Sequence, residues 1–206
     1  MSESSLTVAI LAGGAATRLH GRDKGMELLH GRPLIDWAME VWASRGSPDA
    51  AATSDVDVMI VANRNLDEYA ERARTVSDAT AGFHGPLAGI AAALKASTTQ
   101  HLLTVPVDCP DPPRDLVPKL RAAMAANGAN VAVAHDGERR QPLFAMYRRE
   151  LAASASSAVQ TGQGVWQWQD SIGAVEVDFS TQRQQFHNLN TPDDFAAYAD
   201  VPRSRD

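Results

Sequence analysis

A glycine pair followed by two cations is the most chemically suggestive stretch near the N-terminus. Gly13 and Gly14 end an apolar run, and Arg18 and Lys24 follow a short distance along the chain. Glycines without a Cβ let backbone N–H groups approach phosphate oxygens, and arginine and lysine supply positive charge. The spacing fits neither Gly-Lys-Ser/Thr of a P-loop nor G-x-G-x-x-G. The stretch predicts another kind of phosphate-binding loop, and the simpler alternative is a strand-to-helix turn with two exposed cations.

An aspartate after a second apolar run is a candidate metal ligand. Asp108 closely follows residues 101–105, so its carboxylate is expected to project from the carboxyl end of a buried strand. Carboxylate oxygens are ligands that Mg²⁺ prefers. The alternative is an aspartate that caps the next turn, because Pro110 and Pro112-Pro113 bend the chain there. Taken alone, these residues leave both roles open.

Three further polar side chains are candidate ligand contacts. Asp78 precedes a glycine-containing loop, where an isolated acid is more typical of a surface turn. Asn188 and Asn190 alternate around Leu189, which places both amides on one face of an extended segment. These amides are suited to hydrogen-bond a ligand, or alternatively to satisfy a turn before Thr191, the predicted N-cap of a helix.

Strand-like and helix-like segments alternate along the chain. Short apolar runs predict strands at residues 6–11, 56–61, 101–105 and 130–134, and helices are predicted at 34–44, 66–76, 86–95 and 114–126. A strand at 142–147, a helix at 148–159 and a strand at 174–179 follow. This order predicts a three-layer α/β/α sandwich around a Rossmann-like, mainly parallel sheet.

Composition limits the classes of function. With 206 residues, 44% hydrophobic and 21% charged, the chain is expected to form a single domain over residues 1–206. A net charge of −6 argues against nucleic-acid binding, and no apolar run approaches membrane-spanning length. Cys109 is the single cysteine, which excludes an internal disulfide. The N-terminus lacks the basic flank of a targeting segment, so we expect a cytoplasmic protein.

The glycine-rich stretch resembles the signature L-A-G/A-G-x-x-x-R-M/L-G-x-D-K of nucleotidyltransferases built on a Rossmann-like sheet. Its two adjacent glycines, Asp23-Lys24-Gly25 and residues 29–34 are most similar to the molybdenum cofactor guanylyltransferases. Cytidylyl relatives that use the same cofactor typically carry alanine at the position of Gly13. Further segments resemble the family in order along nearly the whole chain, namely residues 85–89, 106–110, 135–143 and 188–193.

This resemblance implies a Mg²⁺-dependent enzyme with the nucleotide-diphospho-sugar transferase-like fold, which transfers GMP from GTP to molybdopterin. It implies catalytic roles for Arg18, Lys24 and Asp108, with Asp108 as the metal ligand. The implied nucleotide and acceptor contacts are Leu11, Ala12, Gly13, Gly14, Lys24, Asn63, Asp78, Asp108, Asn188 and Asn190. The N-terminal part is expected to bind NTP and the C-terminal part the acceptor. Transient contacts with proteins of molybdenum cofactor biosynthesis or target molybdoenzymes are expected, and nucleic-acid or membrane contacts are not.

Two residues depart from the family pattern. Val61 stands where the guanylyl family tends to carry asparagine, and Asn63 is the expected substitute because alternate residues of an extended strand share a side. His20 occupies a place usually held by glycine, which predicts a differently shaped loop.

Three alternative functions stay open. The first alternative is a cytidylyltransferase for the same cofactor. The second is a sugar-phosphate nucleotidyltransferase, because Thr17-Arg18-Leu19 resembles the loops of such enzymes equally well. The third is a nucleotide-binding regulator without turnover. Lys24 and Asp108 argue against the regulator, because a protein that only binds nucleotide does not need a metal-binding aspartate such as Asp108. Trp166 and Trp168 are expected to serve in packing rather than in stacking on a pterin.

Overall fold

The computed structural model describes residues 6–13, 23–44, 56–78 and 85–199. The strands in these ranges are β1 (Leu6–Leu11), β2 (Leu28–Leu29), β3 (Arg32–Pro33), β4 (Val56–Val61), β5 (Arg74–Val76), β6 (His101–Pro106), β7 (Val131–His135), β8 (Arg140–Arg148) and β9 (Val175–Asp178). The α-helices are α1 (Leu34–Ser44), α2 (Leu66–Ala70), α3 (Pro86–Ala96), α4 (Leu116–Asn127), α5 (Ala152–Gln160), α6 (Val165–Ser171) and α7 (Pro192–Ala199). Short 3₁₀ helices lie at Lys24–Met26, Arg149–Leu151 and Ser180–Phe186.

The main sheet has the strand order β5-β4-β1-β6-β8-β7-β9. Every neighbouring pair is parallel except the two that involve β8, which runs antiparallel to β6 and β7. A tight turn joins β7 to β8, and a connection this short permits only antiparallel pairing. The predicted mainly parallel sheet is confirmed, and β8 is its reversed strand within the described residues.

Helices cover both faces of the sheet, and strand β1 shows why its sequence is a continuous apolar run. All of its residues are buried, because a parallel strand between two helical layers has no wet face. Leu6, Val8 and Ile10 belong to the core on the side of α1 and α4. Ala9 and Leu11 belong to the core on the side of α3, α5 and α6. The predicted three-layer α/β/α sandwich is therefore confirmed.

The helix predicted over residues 66–76 is wrong in its second half. Helix α2 ends at Ala70, and Arg74–Val76 forms β5 beside β4. The Arg74 guanidinium binds Asp57 Oδ2 at 2.6 Å and the Ala96 carbonyl at 2.8 Å, which fastens this short edge strand to β4 and to the end of α3. Pairing with the sheet outweighs the local helical pattern here.

The start of helix α7 fixes the segment that precedes it. The backbone N–H of Asp194 donates to Thr191 Oγ1 at 3.2 Å, as expected for an N-cap threonine. In return, Asp194 Oδ2 accepts from the backbone N–H groups of Asn190 and Thr191, both at 2.8 Å. The cap therefore holds the chain around Asn190 in a defined conformation.

None of the described helices is both long and apolar enough to cross a membrane.

Candidate active site

A cavity of about 250 Å³ opens at the carboxyl ends of β1, β4 and β6. Open α/β sheets bind ligands at this edge. Residues from the segments that follow the three strands contribute most of its lining. The lining residues are Leu11, Ala12, Gly13, Asp23, Lys24, Asn63, Arg64, Pro86, Pro106, Val107, Asp108, Leu143 and Asn188.

The chain leaving β1 is held against the end of β4. The backbone N–H groups of Ala12 and Gly13 both donate to the Val61 carbonyl at 2.9 Å. A Cβ built on Gly13 would lie 3.7 Å from both Asn63 Nδ2 and the Val61 carbonyl oxygen, which is ordinary van der Waals contact. The absence of a side chain at Gly13 thus leaves a space that one methyl group would fill without distorting the protein.

A smaller recess adjoins the main cavity on the β4 side. It is lined by Leu11, Gly13, Val61, Asn63, Asp78, Gly85, Pro86 and Gly89. Asn63 Oδ1 accepts hydrogen bonds from Ser77 Oγ at 2.8 Å and from the backbone N–H of Asp78 at 3.2 Å. Although β4 ends at Val61, Val61 and Asn63 both line this recess. Asn63 and Asp78, which were predicted separately, lie together.

Lys24 joins two segments that are far apart in the sequence. Its Nζ forms an ion pair with Asp108 Oδ2 and donates to Asn190 Oδ1 at 2.6 Å. The Lys24 and Asp108 side chains are only 23% and 11% exposed, respectively, so the pair is partly shielded from water. The structure thus brings together three residues predicted for the site, which are Lys24, Asp108 and Asn190.

Two oxygen atoms in this region have unused hydrogen-bonding capacity. Asp108 Oδ1 and Asn188 Oδ1 are buried without a hydrogen-bond partner among the described residues. The Asp108 carbonyl accepts from the Leu189 N–H at 2.9 Å, which ties the two segments together. A buried polar atom without a partner costs roughly 1–3 kcal/mol. These oxygens therefore indicate a ligand-binding site.

The donor set at Asp108 fits Mg²⁺. Asp108 Oδ1, which lacks a partner in the part of the chain that the structure describes, is the hard oxygen ligand that this ion takes. Mg²⁺ commonly binds through one or two carboxylates plus phosphates and water. Across the described part of the chain, no group of three or more His, Cys, Asp or Glu side chains is arranged to hold a metal. An ion at Asp108 would thus depend on the nucleotide for most of its coordination.

A carboxylate beside Lys24 forms a network that the sequence did not reveal as part of the site. Asp23 accepts hydrogen bonds from Tyr69 Oη at 2.6 Å, Asn65 Nδ2 at 3.0 Å and the Gly25 N–H at 3.1 Å. In the sequence, Asp23 is one position of the nucleotidyltransferase signature and carries no predicted role of its own. The available signal was the direct adjacency of Asp23 to Lys24. The partners Asn65 and Tyr69 carried no local signal because they lie on a different element.

The remaining predicted residues fall into two groups. Gly14, Arg18 and His20 lie outside the described residues. Trp168 is buried and stacks on Tyr147 with ring centroids 5.4 Å apart, which confirms its packing role. Trp166 is 46% exposed and covers the Arg140 guanidinium.

Comparison with known proteins identifies the family of this chain. Residues 8–175 match the model of the MobA-like NTP transferase domain. This chain is similar to the molybdenum cofactor guanylyltransferases from Shewanella sp. strain MR-4 and Pasteurella multocida. The first is 40% identical over 190 residues, covering 91% of this chain and 92% of the relative. The second is 39% identical over 188 residues, covering 90% and 95%.

Solved structures share the fold. Molybdopterin-guanine dinucleotide biosynthesis protein A from Archaeoglobus fulgidus superposes with a TM-score of 0.74 at 23% identity, covering 93% of this chain and 95% of that one. The 2-C-methyl-D-erythritol 4-phosphate cytidylyltransferase from Thermus thermophilus gives a TM-score of 0.62 at 18% identity, covering 94% and 98%. Both likenesses concern the fold of the described sheet and its helices.

Proposed function

We propose, because this chain belongs to the MobA-like NTP transferase family, that it transfers GMP from GTP to molybdopterin and releases pyrophosphate. Relatives at 36–40% identity over most of the chain carry the name molybdenum cofactor guanylyltransferase. The observation that carries the proposal is the meeting of Lys24, Asp108 and Asn190 at one cavity. This meeting brings the cation of the N-terminal signature to the acid after β6 and to the segment expected to hold the acceptor.

The N-terminal half supplies the nucleotide contacts in this proposal. The glycine-rich segment after Gly13 is assigned to the triphosphate, and Arg18 and Lys24 neutralise the charge of the phosphates. The guanine and its ribose lie on the β4 side of the main cavity, and one edge of the guanine enters the smaller recess beside Gly13, Asn63 and Asp78. The absence of a side chain at Gly13 gives a purine the room that alanine would reduce.

Asp108 holds the metal in the proposed site. Mg²⁺, when bound, supplies positive charge that stabilises the negative charge developing on the phosphates. Asp108 offers Oδ1, which has no hydrogen-bond partner within the described ranges, while its Oδ2 is paired with Lys24. The same carboxylate would thus hold the metal through one oxygen and Lys24 through the other.

The chemical step requires positioning rather than a general base. An oxygen of the acceptor's terminal phosphate forms a bond to the α-phosphorus of GTP, and the bond from that phosphorus to the bridging oxygen of the β-phosphate breaks. Pyrophosphate leaves with the electron pair. The attacking phosphate is already an anion at neutral pH, so the protein contributes alignment and electrostatic stabilisation. Asn188 and Asn190 lie beside Asp108 and Lys24 and are suited to hold the acceptor.

The test measures pyrophosphate release with molybdopterin and each of the four NTPs. We expect turnover with GTP, dependence on Mg²⁺, and a strong loss in Lys24→Ala and in Arg18→Lys, since a point charge does not replace a bidentate fork. Lys95→Ala, at an exposed position on α3, is the control and should behave as wild type.

Each alternative has its own outcome in this assay. Equal turnover with CTP would indicate a cytidylyltransferase, and turnover with a sugar phosphate would indicate a different acceptor class. Nucleotide binding without any pyrophosphate release would indicate a regulator. In the cell, we expect the enzyme to act in the cytoplasm and to contact other proteins of molybdenum cofactor biosynthesis or the molybdoenzymes that receive its product.

A further inference from the structure

We infer that Asp23, Asn65 and Tyr69, together the Asp23 clamp, position Lys24 for the triphosphate and thereby set the affinity for the nucleotide. Asn65 and Tyr69 are absent from the lining of the main cavity, so they act through Asp23. The inference rests on the proposed role of Lys24 in binding phosphate.

Asp23 controls the backbone on which Lys24 is carried. It is the N-cap of the 3₁₀ helix Lys24–Met26, and its Oδ1 accepts from the Gly25 N–H at 3.1 Å. The same oxygen accepts from Tyr69 Oη at 2.6 Å, while Oδ2 accepts from Asn65 Nδ2 at 3.0 Å. Both carboxylate oxygens are therefore held from α2 and its leading residue. A carboxylate held in this way fixes the turn that directs Lys24 towards the cavity.

Tyr69 is the fixed end of the clamp. Its side chain is fully buried, and burial together with the hydrogen bond to Asp23 raises the pKa of Tyr69. The phenol thus remains a hydrogen-bond donor across the working pH range. The fit is close on the other side too, because a Cβ on Gly25 would approach Tyr69 Oη to 2.2 Å. Glycine directly after Lys24 lets the two segments meet.

Asn65 gives its side chain to Asp23 instead of to its own helix. It precedes α2 in the N-cap position, yet it makes no side-chain cap hydrogen bond. Its backbone has φ of 47°, a left-handed conformation that asparagine tolerates better than most residues. An asparagine at an N-cap usually stabilises the helix. Here its amide reaches Asp23, which indicates a role in the site.

The consequence for Lys24 follows from its length. A lysine side chain is flexible and loses considerable rotamer freedom when it is fixed. The Asp23 clamp holds the backbone of Lys24, and Lys24 Nζ lies at Asp108 and Asn190. Loosening the clamp would keep the positive charge of Lys24 but leave its side chain less ordered. Nucleotide binding would then have to order this side chain, and the affinity would fall.

The experiment measures the dissociation constant of Mg·GTP by titration calorimetry. Tyr69→Phe removes one donor to Asp23 at constant shape, and we expect affinity to fall about tenfold, as for a lost hydrogen bond to a charged group. Tyr147→Phe is the matched control. Tyr147 is also fully buried, and its hydroxyl accepts from Gln169 Nε2 at 2.7 Å in the opposite helical layer. The control should show a similar fall in Tm with unchanged affinity.

The second step repeats Tyr69→Phe in a Lys24→Ala background. If the clamp acts through Lys24, the added change lowers Tm as before but causes no further loss of affinity. A further loss of the same factor in both backgrounds would overturn the inference, since a purely structural effect is additive. Asn65→Gly provides an independent variant at an exposed position, because glycine keeps the positive φ while removing the amide. It should weaken binding in the same Lys24-dependent way.

The outcomes separate this inference from the proposed function. If Lys24→Ala weakens Mg·GTP binding but Tyr69→Phe and Asn65→Gly do not, the clamp is overturned and the role of Lys24 stands. If Lys24→Ala leaves the affinity at the wild-type value, both the clamp and the phosphate-binding role of Lys24 are overturned.

Discussion

Asp108 divides its two carboxylate oxygens between different partners. Oδ2 pairs with Lys24, and Oδ1 is buried without a partner among the described residues. Asp108→Asn keeps the size of the side chain but removes the charge. If Oδ1 holds Mg²⁺, turnover should fall roughly a thousandfold or more, because the ion stabilises several kcal/mol of developing charge.

Activity against Mg²⁺ concentration, with a thermal melt of each protein, tests this prediction. Asp111→Asn is the matched control, since Asp111 lies three positions along the same turn and is exposed. NTP binding without metal should be unchanged or tighter, because a carboxylate repels phosphate. An Asp108→Asn protein with a normal melt and near wild-type turnover would remove Asp108 from the mechanism.

Gly13 is the residue on which the choice of base is predicted to depend. An added Cβ would make only ordinary contacts at 3.7 Å with Asn63 and Val61, so Gly13→Ala should fold and melt as wild type. The methyl group fills space in the recess assigned to guanine, and we expect kcat/KM for GTP to fall by about tenfold while that for CTP rises or stays constant. Parallel steady-state assays with the two nucleotides measure this, and an unchanged GTP/CTP ratio would contradict it.

The most predictable residues of this molecule are those whose role only a few residue types can fill. Lys24, Asp108 and Asn190 were candidates by residue type and spacing, the family resemblance assigned them to the site, and the structure joins them through Lys24. Asn65 and Tyr69 were not predicted, because their contact with Asp23 spans more than forty residues of sequence and needs the left-handed turn at Asn65. A local pattern does not encode that approach.

At the scale of elements, apolar strands were predictable and edge pairings were not. Strands β1 and β4 appear with the predicted bounds because both sit in the buried centre of the sheet or beside it. Residues 74–76 were assigned to a helix but form β5, whose conformation depends on the neighbouring strand β4. The reversed direction of β8 likewise depends on the turn after β7, which the apolar pattern does not report.

Asp136 is predicted to stabilise that turn between β7 and β8. Asp136 is 5% exposed, and its carboxylate accepts from the N–H groups of Glu138 at 2.9 Å and Arg139 at 2.8 Å, and from Gln141. Asp136→Ala leaves these donors unpaired, which costs about 1–3 kcal/mol. For a chain of this size the Tm should fall by roughly 2–12 °C. Thermal melts measure the change, with Asp111→Ala as an exposed control.

The difference in Tm between wild type and Asp136→Ala should depend on pH with a defined sign. Burial alone would raise the pKa of Asp136, but the N–H groups of Arg139 and Glu138 and the Gln141 amide outweigh it and hold the pKa below its usual 3.8. The stabilisation is therefore present above pH 3.8 and is lost as the pH falls through the lower folded-state value. The Tm gap between wild type and Asp136→Ala should stay constant near neutrality and narrow in acid. A gap that widens in acid would contradict the assignment.

At the scale of the whole molecule, we predict that residues 1–206 unfold as one cooperative unit. The sheet runs without a break from β5 to β9, and each of its two apolar cores contains residues from both halves of the chain. Trp37 and Trp42 lie in α1, and Trp166 and Trp168 lie in α6, so each half carries its own fluorescent reporters. Variants that keep one pair should show fluorescence and circular dichroism transitions that coincide. If the fluorescence midpoint of either variant differed from its circular dichroism midpoint, the chain would contain two domains.

The bond between Lys24 and Asn190 also determines when the site is completed during synthesis. The two residues are 166 positions apart, and ribosomes add about 5–20 residues per second. Lys24 thus emerges roughly 10–30 s before its amide partner has been made. A nascent chain already contains the glycine-rich loop and Asp108 but lacks the segment that joins them to the acceptor side. Translation must pass Asn190 before the polypeptide can assemble its reaction centre.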